Sequence, residues 1–348
     1  MEPFSAWMEA QGPDADIVLS SRIRLARNLK DTRFPNHMAA EDAEVMLGKV
    51  GTAIQGVSGR WSLGFQRMGE LSPINRQVLV EKHLISPAMM EEPIGFRAIA
   101  IDDPESISIM VNEEDHLRIQ ALLSGLQLPE AWSVADQLDD QLESALDFAF
   151  DARLGYLTAC PTNIGTAMRA SVMVHLPALV LTRQAPQVFT TLAQIGMVVR
   201  GLYGEGSDAV GNIFQISNQV SLGLGEDEFI HNLTTVTQQI VGRERHAREY
   251  LRHNAELMLA DRVERAWGLM SHARIMTSEE ALRLLSEVKL GQDLNLLPAT
   301  KSTFAQLTLF TRPGFLQSQT GRELNTGERD QMRATLLRKR LQEEAQSA

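Results

Sequence analysis

Lysine is scarce in this chain. Only positions 30, 49, 82, 289, 301 and 339 carry it, so arginine supplies most of the 33 basic residues. Cysteine is rarer still: Cys160 stands alone, which excludes an intrachain disulfide and points to a reducing, cytoplasmic setting. No run approaches the ~20 apolar residues of a membrane span, and the first residues lack the basic and apolar regions of a signal peptide. Neither the Gly-x-x-x-x-Gly-Lys-Ser/Thr phosphate loop nor a dinucleotide glycine fingerprint occurs, so a bound nucleotide would have to be held by side chains. A net charge of −11 removes the basic surface on which nonspecific nucleic-acid binding rests.

What remains is an ordinary globular composition, 44% hydrophobic and 22% charged over 348 residues, long enough for a full core and two domains. The arginines are not scattered. Residues 16–25 alternate as a strand, with Ile17, Leu19, Ile23 and Leu25 on one side and Ser20, Arg22 and Arg24 on the other. In residues 169–176, Arg169 and Ser171 oppose Ala170, Val172 and Val174. Residues 194–200 end an apolar run on Arg200, residues 106–111 form a strand leading into Asn112-Glu-Glu-Asp-His116, and 210–222 reads as a further strand.

Helical periodicity marks 135–149 and takes over from about Asp227. Thr277-Ser-Glu-Glu280 has the form of a capping box, and 328–345 reads as a charged closing helix. These patterns predict an α+β domain over 1–250, with an antiparallel sheet flanked by helices, and a smaller helical domain over 251–348.

Several guanidinium groups on strand faces repel one another unless an anion lies between them, and a polyphosphate would supply that counter-charge. The carboxylates of Glu113-Glu114-Asp115 and of Gly204-Glu205-Gly206 suit a cationic, planar acceptor such as a guanidinium. That acceptor, with a pKa above ~12, needs a positioned base before it can act as a nucleophile. Cys160 sits in a Pro/Asn/Gly turn nine residues before Arg169; it is either a small buried hydrophobe or a thiolate held near positive charge.

Asn112-Glu-Glu-Asp-His116, Cys160-Pro-Thr-Asn-Ile-Gly-Thr166 and Ser20-Ser-Arg-Ile-Arg24 together resemble the phosphagen (guanidino) kinases, over about Ser20 to Leu222. Val80-Glu-Lys-His-Leu-Ile-Ser-Pro87 and Arg200-Gly-Leu-Tyr-Gly-Glu-Gly206 are similar to the branch of bacterial protein arginine kinases. The resemblance implies transfer of the ATP γ-phosphoryl group, with Mg²⁺ carried on the nucleotide and no metal ligands from the protein. Catalysis would fall to Glu114, Cys160 and Glu205. ATP would lie against Ser20, Ser21, Arg22, Ile23 and Arg24, against His83 and Arg118, and against Arg169, Ala170, Ser171, Val172 and Met173. Arg200, Gly201, Leu202, Tyr203 and Gly204 would complete that site. Arg329, Asp330 and Arg333 fit a phosphoarginine-binding motif with both arginines on one helix face, although the pattern alone gives a solvated helix surface.

Two departures from the small-molecule enzymes stand out, the first implying an acceptor site open to a polypeptide and the second favouring the protein-arginine branch. Only about sixteen residues precede the first arginine strand, and Ile-Met-Val stands before Asn112 where those enzymes carry a tryptophan. The partners implied are proteins with exposed arginines, an activating adaptor (McsA-like), a Clp unfoldase–protease and a second copy of the chain. A kinase for free arginine and a phosphoarginine-binding adaptor with weak catalysis remain the alternatives. His37, His175, His231 and His253 carry no signal beyond ordinary surface or core positions.

Overall fold

The structure is a computed structural model that describes residues 4–91, 94–201 and 210–345. The strands are β1 (Val18–Arg27), β2 (Gly64–Arg67), β3 (Ala98–Ile101), β4 (Ile107–Val111) and β5 (Leu117–Ser124), followed by β6 (Phe150–Asp151), β7 (Gly155–Tyr156), β8 (Met168–His175), β9 (Met197–Gly201) and β10 (Ile213–Asn218). Eight of them form one sheet in the order β2-β3-β4-β5-β1-β8-β10-β9, antiparallel throughout; β6 and β7 pair separately. The helices of the first part are α1 (Ala40–Trp61), α2 (Pro73–Glu81), α3 (Leu128–Glu143), α4 (Pro177–Leu181) and α5 (Ala185–Gln194). Then come α6 (Glu226–Asn254), α7 (Glu256–His272), α8 (Ser278–Asp293), α9 (Phe304–Phe310), α10 (Pro313–Thr320) and α11 (Thr326–Ala345).

The sheet has two unlike faces because its strands alternate. Ile23, Leu25, Ile119, Ala170, Val172 and Ile216 are buried on the face against which α3 and α6 pack. The opposite face carries Arg22, Arg24, Gln120, Arg169, Ser171 and Gln215. The register sets Arg24 opposite both Gln120 and Arg169, Arg22 opposite Ser171, and Gln215 opposite both Met173 and Arg200. Burying a branched apolar side chain contributes roughly 1.5–3 kcal/mol, so the register that buries Ile23 and Leu25 also holds the arginines together. A one-residue slip would exchange the faces.

Several boundaries differ from the sequence reading. The strand expected over 210–222 begins at Ile213 and ends at Asn218, leaving Val220 and Leu222 exposed. The Asn218 side chain accepts from the Ala170 backbone and donates to Met168 and Val220 carbonyls, which closes the ladder at that point. The helix expected over 135–149 is α3, which starts earlier because Pro129 sits in its first turn, where a missing N–H costs nothing. Leu146 and Ala149 are buried beyond its end. The run leading to Arg200 divides at Gly196, whose φ of 76° lets α5 stop and β9 start. Thr277 caps Glu280 as expected, while the reciprocal box forms at Thr303 and Gln306. The closing helix begins two residues earlier than the charge pattern indicated. Among the described residues no helix is long and apolar enough to cross a membrane.

Candidate active site

The arginine face is the floor of a cleft of about 520 Å³, walled by α2, the segment after it and the start of α10. Arg22 donates Nη2 to Gln215 Oε1 at 2.6 Å and Nε to Ser171 Oγ at 3.4 Å. Arg169 donates to Ser217 Oγ at 3.3 Å. Arg24 Nε is shut off from solvent and has no hydrogen-bond partner among the described residues. Burial first, then the neighbouring Arg169 and Arg118, lower the Arg22 guanidinium to about 10. Burial followed by Arg22, Arg118 and Arg169 depresses Arg24 well below its usual range, with Glu113 opposing. Four guanidinium groups within mutual reach, with Arg24 Nε buried and unpaired among the described residues, form a site that gains most from a multiply charged anion.

His83, two residues past the end of α2, lies in the left-handed region at φ 61°, a conformation that costs a non-glycine residue roughly 1–2 kcal/mol. Its carbonyl accepts from Gln120 Nε2, and its ring lies 5.7 Å from that of Trp7. Burial, with Arg22 and Arg312 adding repulsion, lowers its imidazole to about 3, so it is neutral at physiological pH. His83 lines a small recess in the floor with Ser20, Arg22, Ser171, Met173 and Gln215. Ile23, Ala170 and Val172 point into the core, so only their backbones are available to a ligand. Ser21 does the same, bonding the Gly125 carbonyl and the Gln127 N–H.

At the end of β4 the chain turns at Asn112, φ 58°, and presents the acidic run. Arg118 pairs with Glu113 at 2.5 Å and Glu114 at 3.0 Å. Ser86 donates to Glu113 and holds it inward, while the Glu114 side chain stays 44% exposed. Burial raises the Glu114 carboxyl above its usual value, with Arg118 opposing and Asp115 and Glu113 adding to the rise. Asp115 Oδ1 accepts from Ala159 N and from Asn28 Nδ2, each at 2.7 Å. Those bonds fasten the turn carrying Glu114 to the loop carrying Cys160. Cys160 is half-buried, with Sγ 3.0 Å from Thr162 Oγ1. His116 accepts the Leu29 N–H at Nδ1 and so donates Nε2 to the Arg33 carbonyl, clamping the same turn from the other side.

Arg200 lies on β9 beside Gln215, and Gly201 ends that strand. Leu202, Tyr203, Gly204 and Glu205 fall outside the described residues. Gln120, Gln215 and Arg312 join the cleft without a sequence signal of their own; the first two are visible only once the strands are in register. In α11 the two arginines expected on one open face diverge. Arg333 is 3% exposed and donates to the Thr311 and Met276 carbonyls at 2.7 Å and to Asp330 at 2.5 Å, whereas Arg329 donates to Thr326 Oγ1. Asp330 therefore pairs with Arg333, because position 333 faces the turn before α10 rather than solvent.

Residues 46–247 match the family ATP:guanido phosphotransferase, C-terminal catalytic domain, and residues 256–348 match the protein-arginine kinase McsB C-terminal domain. A protein-arginine kinase of Symbiobacterium thermophilum is 54% identical over 97% of this chain and 96% of its own length. One from Desulforamulus reducens is 52% identical over 97% and 96%. The crystal structure of lombricine kinase, 25% identical, superposes with a TM-score of 0.59 over 68% of each chain.

Proposed function

The chain belongs to the ATP:guanido phosphotransferases, and from that membership we propose that it is a protein arginine kinase, moving the γ-phosphoryl group of ATP onto arginine side chains of other proteins. The observation that carries the reading is the arginine face, with Arg24 Nε buried and unpaired among the described residues, beside the Glu114 turn. Arg22, Arg24, Arg118, Arg169 and Arg200 hold the polyphosphate, with Ser20, Ser171, Met173 and His83 beside the nucleotide. Bound Mg²⁺, carried by the nucleotide rather than by protein ligands, would neutralise part of its charge. Glu114 and Glu205 grip the acceptor guanidinium, and Cys160 orients it as a thiolate. An acceptor nitrogen attacks the γ-phosphorus as the bond to ADP breaks, and Glu114 takes the proton. Positioning and charge neutralisation supply most of such catalysis, since the transferring phosphoryl is loosely bonded and anionic.

The catalytic and helical parts meet, on this reading, near Ala255 between α6 and α7. The modified proteins go to a Clp-type protease, the chain works in the cytoplasm with an activating adaptor and as a dimer or larger assembly, and Arg329, Asp330 and Arg333 answer to phosphoarginine. Incubation with ATP and a folded protein substrate tests the activity: acid-labile phosphate on arginine supports it, and phosphate only on free arginine would replace it with the small-molecule alternative.

A further inference from the structure

The nucleotide cleft has a wall that the arginine sheet does not supply. Arg312 and Pro313, where α10 begins, line the same volume as Arg22, Arg24, His83 and Gln120. Arg312 is 9% exposed and is fixed there from two directions. Glu81, at the end of α2, accepts the Gly314 and Phe315 N–H groups at 2.7 and 2.8 Å and the Gln77 side-chain amide at 3.1 Å. The first turn of α10 is thus capped by a carboxylate of the cleft itself. From behind, Arg333 donates Nε to the carbonyl of Thr311, one residue before Arg312. The charge is felt inside the cleft: Arg312 adds, after burial and Arg22, to the lowering of the His83 imidazole, and it opposes the rise that burial imposes on Glu81.

We propose that Arg312 is a nucleotide-contacting residue, brought to the cleft by the C-terminal helical region, whose guanidinium binds the polyphosphate of ATP together with Arg22 and Arg24. The inference rests on the nucleotide site proposed above. A guanidinium added to a cleft already crowded with like charge raises repulsion in the empty protein and is relieved when a polyanion enters. Bound ATP would then tie α2, the sheet and α10 together. Any anion that competes for Arg333 would act on Arg312 through a single backbone carbonyl.

Arg312→Met keeps most of the apolar stem and removes the charge, while Arg312→Lys keeps charge without the planar fork. Calorimetric titrations use three probes: ADP, inorganic tripolyphosphate and adenosine. Arg312→Met should weaken ADP and tripolyphosphate by on the order of tenfold, the worth of one charge-assisted contact, and leave adenosine unchanged. Arg312→Lys should recover part of the loss. In the unaltered protein, saturating ADP should slow amide hydrogen exchange across residues 312–316, a readout that does not depend on how the variants fold. Arg24→Ala serves as the control. If Arg24→Ala binds ADP normally, the nucleotide site itself is misplaced. If Arg24→Ala loses ADP while Arg312→Met does not, or if adenosine and ADP weaken equally, or if 312–316 gain no protection, Arg312 is only a strut between the two parts.

Discussion

Asp115 and Ala159 are joined by a 2.7 Å hydrogen bond from the Ala159 N–H to Asp115 Oδ1, the oxygen that also accepts from Asn28. One buried carboxylate therefore sets the distance between the turn that presents Glu114 and the loop that presents Cys160. Asp115→Ala would strand the Ala159 N–H and one N–H of the Asn28 amide, whose other N–H keeps the Leu157 carbonyl, at roughly 1–3 kcal/mol for each buried donor left unpaired. Thermal unfolding should shift down by several degrees, and turnover should fall on the order of tenfold or more even though every reacting side chain remains. Full activity in a folded Asp115→Ala protein would show that the two segments are positioned independently.

As the proposed base, Glu114 would have to be ionised to accept a proton, and burial raises its carboxyl above the usual value. Activity should therefore fall on acidification at a pH above the ~4.3 of an ordinary glutamate. Glu114→Gln should cut turnover by about 10²-fold or more while ADP affinity holds. Cys160→Ser should slow the reaction strongly, against a packing cost of only about 1 kcal/mol. Rates and calorimetric ADP affinities of the two variants, taken across pH, check both statements.

The arginine face should trade stability for binding. Arg24 is half-buried, pressed by three other guanidinium groups and, among the described residues, unpaired at Nε. Arg24→Met should raise the melting temperature of the nucleotide-free protein and abolish ADP binding. Arg24→Lys should restore little, because an ammonium lacks the planar fork. A melting scan with and without ADP reads both effects, and a destabilised Arg24→Met would mean the repulsion is already neutralised in the empty protein.

Two histidines set a pH window for stability. His83 is held at about 3 by burial, Arg22 and Arg312, and His175 lies well below its usual value through burial, Lys289 and Arg248. Both folded values lie under the unfolded ~6.5, so their stabilisation is complete above ~6.5 and is lost as pH falls toward the folded values, by up to about 1.4 kcal/mol per unit for each. Urea midpoints at pH 7 and 4.5 should differ less in His83→Gln than in the parent. Equal differences would mean that His83 is already protonated in the fold.

The strands of the arginine face were legible because alternation puts Ile23 and Leu25 on one side and Arg22 and Arg24 on the other within ten residues. β5 gave no such signal: Leu117 to Ser124 is buried along most of both faces, and its pattern flattens. Cleft residues that depend on register, such as Gln120 and Gln215, cannot be seen before the strands are paired. Arg312 is further from view, since nothing in Thr311-Arg312-Pro313 says that α10 will dock on Glu81. The reading of Arg333 as an open clasp failed to foresee its burial for the same reason: helical spacing fixes a face but not what covers it.

The most direct test of the account compares the initial rate of phosphate transfer from ATP to a folded protein with exposed arginines against the rate to free arginine, at equal guanidinium concentration. Acid-labile phosphate on protein arginine, formed faster than on the free amino acid and lost in Glu114→Gln, is the expected result. Faster transfer to free arginine, or protein phosphorylation that survives Glu114→Gln unchanged, would contradict it.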